Sequence, residues 1–478
     1  MNNNISSLFS QSKNNVYTYK ILEDLTVNVE VQHNPFQLEL DHLFTMAARI
    51  NPKRSFLFVS KVLGKHLAVD PYLSLLSGAV LSLLLYNDMR EQSDPKITAL
   101  LPRILQAMSS GEGLAEAYHE LMNLKLVLPA PVSFIGFAET ATALGHSMYQ
   151  VFDRGAQYVH TTRHDIAGLS SVITFEEEHS HATAHRCYAQ SEGMITGNDP
   201  IILVDDEITT GKTALNIIRE IHAEYPRDTY YVASLLDWRE DAHVQRFADL
   251  EQELNITITV LSLIKGQITV DGQPSLTHDP MTLHEQLADI PVDMIYLDHL
   301  FAQQEGYASI DGQGQQNRAS LMTGTGRFGI GAHDNLCNTI SIEKAAQLLG
   351  MYRTGQQTLC LGTEEFMYIP MRISSEMGAG IKFHSTTRSP IYRSLMPHYS
   401  IQTGDTFPSP EDSSVTNFVY NIPEGHYDDV FVFLERDVPQ QRIQPLIDVL
   451  RSKLFQQIHI VICGPQMVQE KGIDHDRI

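Results

Sequence analysis

The residues best suited to chemistry lie in "PIILVDDEITTGKTALNIIREI", residues 200–221. An apolar run, Ile201 to Val204, ends in two adjacent carboxylates, Asp205 and Asp206, and leads into Thr209, Thr210, Gly211, Lys212 and Thr213. The Gly-Lys-Thr looks like the end of a Walker A loop, whose first glycine would fall at position 206. That position is Asp206, and a carboxylate there would repel the phosphates it faced. The ATPase reading fails. A carboxylate pair closing a parallel strand instead sits where α/β sheets bind ligands, and it can accept hydrogen bonds from the two vicinal hydroxyls of a ribose. The threonine-glycine turn then offers backbone N–H groups at a helix N-terminus, a site for one phosphate. The order reads as ribose hydroxyls, then a 5′-phosphate.

This stretch resembles the PRPP-binding motif of type I phosphoribosyltransferases, which transfer ribose 5-phosphate from PRPP to a nitrogen of a base and release pyrophosphate. The resemblance implies that Asp205 and Asp206 hold the 2′- and 3′-hydroxyls and that Thr209 to Thr213 cradle the 5′-phosphate. It implies Mg²⁺ bound through PRPP, with no direct protein ligand. Glu207 stands where the family often has an apolar residue, facing either solvent or substrate. Upstream, "GFAETATALGH" (residues 136–146) resembles the family's pyrophosphate loop, making Ala138, Glu139 and Thr140 candidate substrate-binding residues. Small residues there let N–H groups approach an anion. Glu139 suits that role poorly; touching Mg²⁺ or capping the helix remain open, as does a plain helix cap for the whole turn.

Between the next two strands, residues 164–194 carry His179, His181, His185 and Arg186. The family often has a flexible loop here that closes over PRPP and excludes water. The histidines and Arg186 would then serve the leaving pyrophosphate; a metal on His181 and His185, or a solvated loop with no role, are the alternatives. Arg163, in "TTR", is placed to meet phosphate or to lie on the surface. Lys61 and Lys65 follow an apolar run in a region expected to form a hood that chooses the acceptor; lysines on a solvated face are the bland reading.

From Ala130 strands and helices alternate, predicting a Rossmann-like parallel sheet. Residues 255–272 alternate and turn at Lys265-Gly266, predicting a β-hairpin. Residues 306–326 are rich in Gly, Gln and Ser and read as a linker, dividing a phosphoribosyltransferase domain (1–305) from a second α/β domain (327–478). The halves share a pattern. Gly136 in "FIGFAET" precedes Arg163 in "HTTRH" by 27 residues, and Gly362 in "LCLGTEE" precedes Arg388 in "STTRSP" by 26. Each pair is followed by an apolar strand with an acidic end. A duplicated core with a degenerate second copy is expected, and strand order in the two sheets decides it. With "RFGI" (327–330) and "GTEEF" (362–366), the Thr387-Arg388-Ser389-Pro390 tetrapeptide resembles the TRSP domain, which follows a phosphoribosyltransferase domain in proteins of tellurite-resistance (Ter) stress gene clusters.

Composition bounds the rest. A formal net charge of −23 argues against a general nucleic-acid binder. Cys187, Cys337, Cys360 and Cys463 have no metal-ligand spacing and suit a reducing cytoplasm. The N-terminus shows no signal-peptide h-region. The longest apolar run, residues 73–86, is too short to span a bilayer and reads as a buried helix. The expectation is a cytoplasmic, Mg²⁺-dependent phosphoribosyltransferase acting on PRPP and a base-like acceptor, without membrane or nucleic acid and with a homodimer left open. The rival is a non-enzymatic PRPP or nucleotide sensor.

Overall fold

The computed structural model describes residues 15–50, 54–90, 94–176, 184–190, 193–276, 288–301 and 306–467. The first part holds strands Val16–Leu22 (β1) and Leu25–His33 (β2), a hairpin of Phe44–Ala48 (β3) and Phe56–Ser60 (β4), and helices Pro71–Arg90 (α1), Pro95–Ser110 (α2) and Leu114–Met122 (α3). Then come Leu126–Gly136 (β5), Ala141–Tyr149 (α4), Phe152–His160 (β6), and a hairpin of Ile173–Glu176 (β7) and Ala184–Cys187 (β8). Ile201–Val204 (β9), Lys212–Glu224 (α5), Thr229–Asp237 (β10), Asp241–Leu254 (α6) and Thr257–Gly272 (β11) complete it. The second part holds Val292–Tyr296 (β12), Ala332–Gly350 (α7), Thr358–Gly362 (β13), Tyr368–Glu376 (α8), Ile381–Ser385 (β14), Asp429–Leu434 (β15), Gln440–Arg451 (α9) and Gln457–Ile462 (β16).

Runs with no polar alternation, such as Ile201 to Val204, are buried on both faces, as central parallel strands require. The larger sheet runs β1-β2-β11-β10-β9-β5-β6, the smaller β12-β16-β15-β13-β14. In the first, β6, β5, β9, β10 and β11 are mutually parallel. All five strands of the second are parallel. In sequence order the first parallel core lies 2-1-3-4-5. The second lies 2-1-3-4, with β12 in the fifth place.

The expected duplication therefore has its shared strand order, and the turns repeat it bond for bond. Thr161 N donates to Gly136 O at 2.9 Å, and Thr386 N to Gly362 O at 3.0 Å. Ala138 N donates to Thr161 Oγ1 at 2.9 Å, and Glu364 N to Thr386 Oγ1 at 3.1 Å. His164 N donates to Thr162 Oγ1 at 3.1 Å, and Ser389 N to Thr387 Oγ1 at 3.2 Å.

The halves also cover each other's sheet edges. Val69, just before α1, exchanges hydrogen bonds of 2.9 and 2.8 Å with Phe383 on the outer edge of β14. Ile330, just before α7, exchanges bonds of 3.0 and 2.8 Å with Tyr158 on the outer edge of β6. An edge strand left open is a template for aggregation, so each half shields the other. α1 is long and apolar enough to cross a membrane by length and composition, yet most of it is buried in the core. It lies so close to α4 that a Cβ on Gly78 would sit 2.7 Å from that of Ser147.

Three expectations are corrected. Residues 257–272 form one strand, not a hairpin: β11 pairs with β10 in its first part and with β2 in its second. The Lys265-Gly266 signal marks a register shift, where a Cβ on Gly266 would come 2.4 Å from Glu30 O. The domain boundary at 305 cuts too late, because β12 belongs to the second sheet. Residues 306–326 are packed chain rather than free linker: Ser309–Ile310 pairs with Asp165–Ile166, and Leu321 and Met322 are buried.

Several buried histidines make the fold acid-sensitive. Burial pushes His66, His146, His160 and His384 below their ordinary value, His160 to about 4. Between that value and about 6.5 the unfolded chain binds more protons than the folded one, so stability falls with pH. His160 alone should contribute a loss of roughly 2 kcal/mol by pH 5. Thermal melts at pH 7.5 and 5.0 should show a clear drop in Tm; a flat profile would contradict neutral burial of these rings.

Candidate functional site

A cleft of about 960 Å³ opens at the C-terminal ends of the first sheet's strands and is closed on its far side by the second copy. The chain leaves β9 with Asp205 N donating to Ala233 O at 3.0 Å and Asp206 N donating to Asp205 Oδ1 at 2.9 Å. Glu207 and Ile208 then run parallel to Leu236 and Asp237 at the end of β10, and this rail delivers Thr209 to Thr213 to the N-terminus of α5. Gly211 turns with φ +69°, where a Cβ would lie 2.4 Å from the Phe247 ring. Behind Phe247, Arg239 stacks at 4.3 Å and is held by two 2.8 Å bonds to Asp237. Asp205, Asp206, Thr209, Thr210, Gly211, Lys212 and Thr213 all line the cleft, as do Ala138, Glu139, Thr140 and Arg163. His179 and His181 lie outside the described residues. The strands on either side of them, β7 and β8, pair antiparallel, and Phe175 packs on Phe137 with ring centres 5.9 Å apart.

The 137–140 turn is anchored by Phe137 N donating to Val204 O at 3.0 Å, and its Ala138–Glu139 peptide is cis. Lys65 reaches over it. Its Nζ donates to Thr140 Oγ1 at 2.5 Å and lies 3.5 Å from Glu139 Oε2. The ammonium is thus a cleft group and not part of a solvated face. Glu139 Oε2 also accepts from Thr387 Oγ1 of the second copy at 2.9 Å, while Oε1 has no partner among the described residues. Arg163 offers its Nε to His185 Nε2 at 3.4 Å, and its backbone N donates to Glu365 Oε1 at 2.7 Å. Burial would raise the Glu365 carboxyl, but His164, Arg327, His160 and the Thr162 hydroxyl hold it well below the usual range.

On the hood side, Arg54 ion-pairs with Glu207 at 2.5 Å and lies over Phe56 and Phe58 at 5.0 and 5.9 Å. Glu207 therefore faces the hood, not open solvent; burial pushes its carboxyl up and Arg54 opposes that shift. Ile50, Leu57 and Phe58 of the hood and Pro390 and Ile391 of the second copy give this end an apolar lining. Sequence reasoning missed Arg54, and it passed over Glu364 and Glu365 within "GTEE" (362–365), the second copy's counterpart of "GFAE" (136–139). The repeat itself was the available signal.

No group of three or more metal-ligating side chains occurs among the described residues. The hard oxygens of Asp205, Asp206 and Glu139 Oε1 still suit Mg²⁺, which keeps most of its water and takes one or two carboxylates beside substrate phosphates.

The second copy's corresponding strand end is closed. Leu434 and Glu435 stand where the first copy has Asp205 and Asp206. Glu435 is bound by buried Arg327 through bonds of 2.5 and 2.9 Å, and Arg436 next to it pairs with Glu411. Protein guanidinium groups fill the space a ligand would need.

Residues 43–267 match the family model described as phosphoribosyl transferase, and residues 324–450 that of the TRSP domain C-terminal to it. A comparison with curated proteins finds no match. Among solved structures, the chain is similar to adenine phosphoribosyl transferase from Trypanosoma brucei in complex with AMP, pyrophosphate and ribose-5-phosphate, at 13% identity and TM-score 0.28, over 49% of this chain and 82% of that one. It is similar to adenine phosphoribosyltransferase from Leishmania donovani at 17% identity and TM-score 0.23, over 38% and 79%. A third is orotate phosphoribosyltransferase from Aeropyrum pernix, at 14% and 0.18, over 31% and 72%. At these scores none of the three bears on function. The two family matches do: the chain carries a region matching phosphoribosyl transferase, followed by one matching the TRSP domain.

The loop geometry makes Gly211→Ala a sharp probe. It combines a positive φ with a clash against Phe247, so a cost of about 1 kcal/mol or more is expected. A lowered Tm with PRPP binding weakened about tenfold would fit a loop whose turn positions the phosphate donors. Wild-type affinity in this variant would show that the turn holds no phosphate.

Proposed function

We propose that the cleft binds PRPP with Mg²⁺ and transfers ribose 5-phosphate to a base-like nitrogen acceptor seated against the hood. One observation carries this reading. The carboxylate pair, the helix N-terminal turn, the 137–140 loop and Lys65 all face one cleft. Thr209 to Thr213 would hold the 5′-phosphate and fix the ribose, while Asp205 and Asp206 accept from its hydroxyls and offset the positive charge that grows on the anomeric carbon. The 137–140 backbone, Lys65 and Arg163 would meet the diphosphate as it departs and its charge grows. Mg²⁺ would supply charge neutralisation of that diphosphate, near the oxygens of Asp205, Asp206 and Glu139. Leu57, Phe58 and Ile391 would receive a flat ring, with the Arg54–Glu207 pair at its polar edge. Closure between hood and second copy keeps water from the cationic centre.

The finer reading is a nucleoside-like product made in a stress response, in a reducing cytoplasm. It is supported by the TRSP tetrapeptide and by cysteines that are free among the described residues. The acidic balance of the chain speaks against nucleic acid as a partner.

The test is pyrophosphate release from PRPP and Mg²⁺ with purine, pyrimidine and pyridine acceptors, beside an Asp205→Asn/Asp206→Asn double variant. Release that depends on one acceptor and falls at least a hundredfold in the double variant is expected, roughly the scale of losing charged contacts to a transition state. PRPP binding without release under any acceptor would favour the sensor, and absence of PRPP binding would end the proposal.

A further inference from the structure

The two copies exchange the same contact in both directions. Glu139 and Glu365 occupy equivalent places, each three residues past the glycine that ends the first strand of its copy. Thr162 and Thr387 are likewise equivalent, each two residues past the end of the second strand. Glu139 Oε2 accepts from Thr387 Oγ1 at 2.9 Å, and Glu365 Oε2 accepts from Thr162 Oγ1 at 2.6 Å. Residue i meeting j while j meets i is the signature of a two-fold interface. Here it lies within one chain. The equivalent helices α4 and α8 pack across the same axis, with the His146 and Tyr368 rings stacked at 3.5 Å.

The exchange is symmetric in form and asymmetric in consequence. Glu139 reaches out of the substrate cleft toward a copy whose strand-end site is filled. Glu365 reaches from that copy to the Thr-Thr-Arg turn of the open cleft, where its Oε1 also accepts the Arg163 backbone N–H at 2.7 Å. Its carboxylate is buried and lies 3.6 Å from the equally buried Arg327. Thr162 Oγ1 in turn accepts from His164 N at 3.1 Å, so both residues flanking Arg163 are tied to the same carboxylate.

We propose that Glu365 of the second copy is a positioning residue of the phosphoribosyl-transfer site, fixing the 162–164 turn so that Arg163 faces the substrate's diphosphate. The second copy then stands where a partner subunit would, and a single chain completes the site. Glu365 touches no substrate; it acts through Arg163. The inference rests on the reading of the cleft as a PRPP site.

Full-length wild type, Glu365→Ala and Glu365→Gln would be compared by amide hydrogen exchange over residues 161–166 and by steady-state kinetics in PRPP. Glu365→Ala leaves the Arg163 N–H and the Thr162 hydroxyl short of an acceptor and removes the charge 3.6 Å from Arg327. Exchange over this segment should rise at least tenfold, and KM for PRPP should rise about tenfold with a smaller change in kcat, the scale of one charged hydrogen bond. Glu365→Gln keeps one acceptor oxygen and should fall between the two; it also carries the test if the alanine variant does not fold. A merely structural glutamate would lower Tm and leave KM and kcat of the folded fraction unchanged. Unchanged exchange, or unchanged KM in either folded variant, overturns the proposal. If wild type neither binds PRPP nor releases pyrophosphate, the PRPP reading fails by itself, and the exchange data still decide whether Glu365 holds the turn.

Discussion

Everything at the cleft depends on burying carboxylates between the two copies without leaving them unpaired. An isolated buried charge is costly, and removing one partner of a buried pair costs more than the pair itself contributes. Glu139, Glu364, Glu365, Glu411 and Glu435 are all nearly inaccessible, and each is met by a lysine, arginine or hydroxyl. Most of these links cross between elements far apart in sequence. Two of them, Glu139 and Glu365, bond to Thr387 and Thr162 of the opposite copy, and satisfying these fixes how the copies sit beside the cleft. The edge exchange at Val69 and Ile330 adds backbone bonds to the same constraint.

Duplication explains why one cleft is open and the other is not. Both copies present a strand end, a turn and a helix, the arrangement that binds ligands in α/β sheets. In the first copy the strand ends in two aspartates and a threonine-glycine turn, whose polar groups line the cleft. In the second, Arg327 and Arg436 satisfy Glu435 and Glu411 from within the chain. What was lost as a ligand site serves as a scaffold. Under the proposed reading its contribution would run through Glu365, and through Pro390 and Ile391, which line the cleft.

Much of this was legible in the sequence, for physical reasons. The apolar run ending in Asp205-Asp206 and the Thr-Thr-Gly turn are local chemistry, and the structure brings them together as their order implies. The 26- and 27-residue spacings exposed the repeat because strand, turn and helix lengths are set by geometry. The failures were non-local. Lys265-Gly266 carries turn chemistry, yet tertiary pairing draws the strand straight on to β2. The Gly- and Gln-rich stretch after 305 reads as free chain, yet it pairs with Asp165–Ile166 and buries Leu321 and Met322, which need a core. Lys65 read either as a hood residue or as a solvated lysine, because nothing near it in sequence shows that its chain crosses over the 137–140 turn. Arg54 and Glu207, 153 residues apart, give no local sign of their pairing.

The most direct test of the central claim is a crystal structure of the protein with PRPP and Mg²⁺. The account predicts the 5′-phosphate at the backbone of Thr209 to Thr213, the ribose hydroxyls on Asp205 and Asp206, and the diphosphate between the 137–140 turn, Lys65 and Arg163. Ligand bound elsewhere, or a cleft still empty at saturating PRPP, would contradict it.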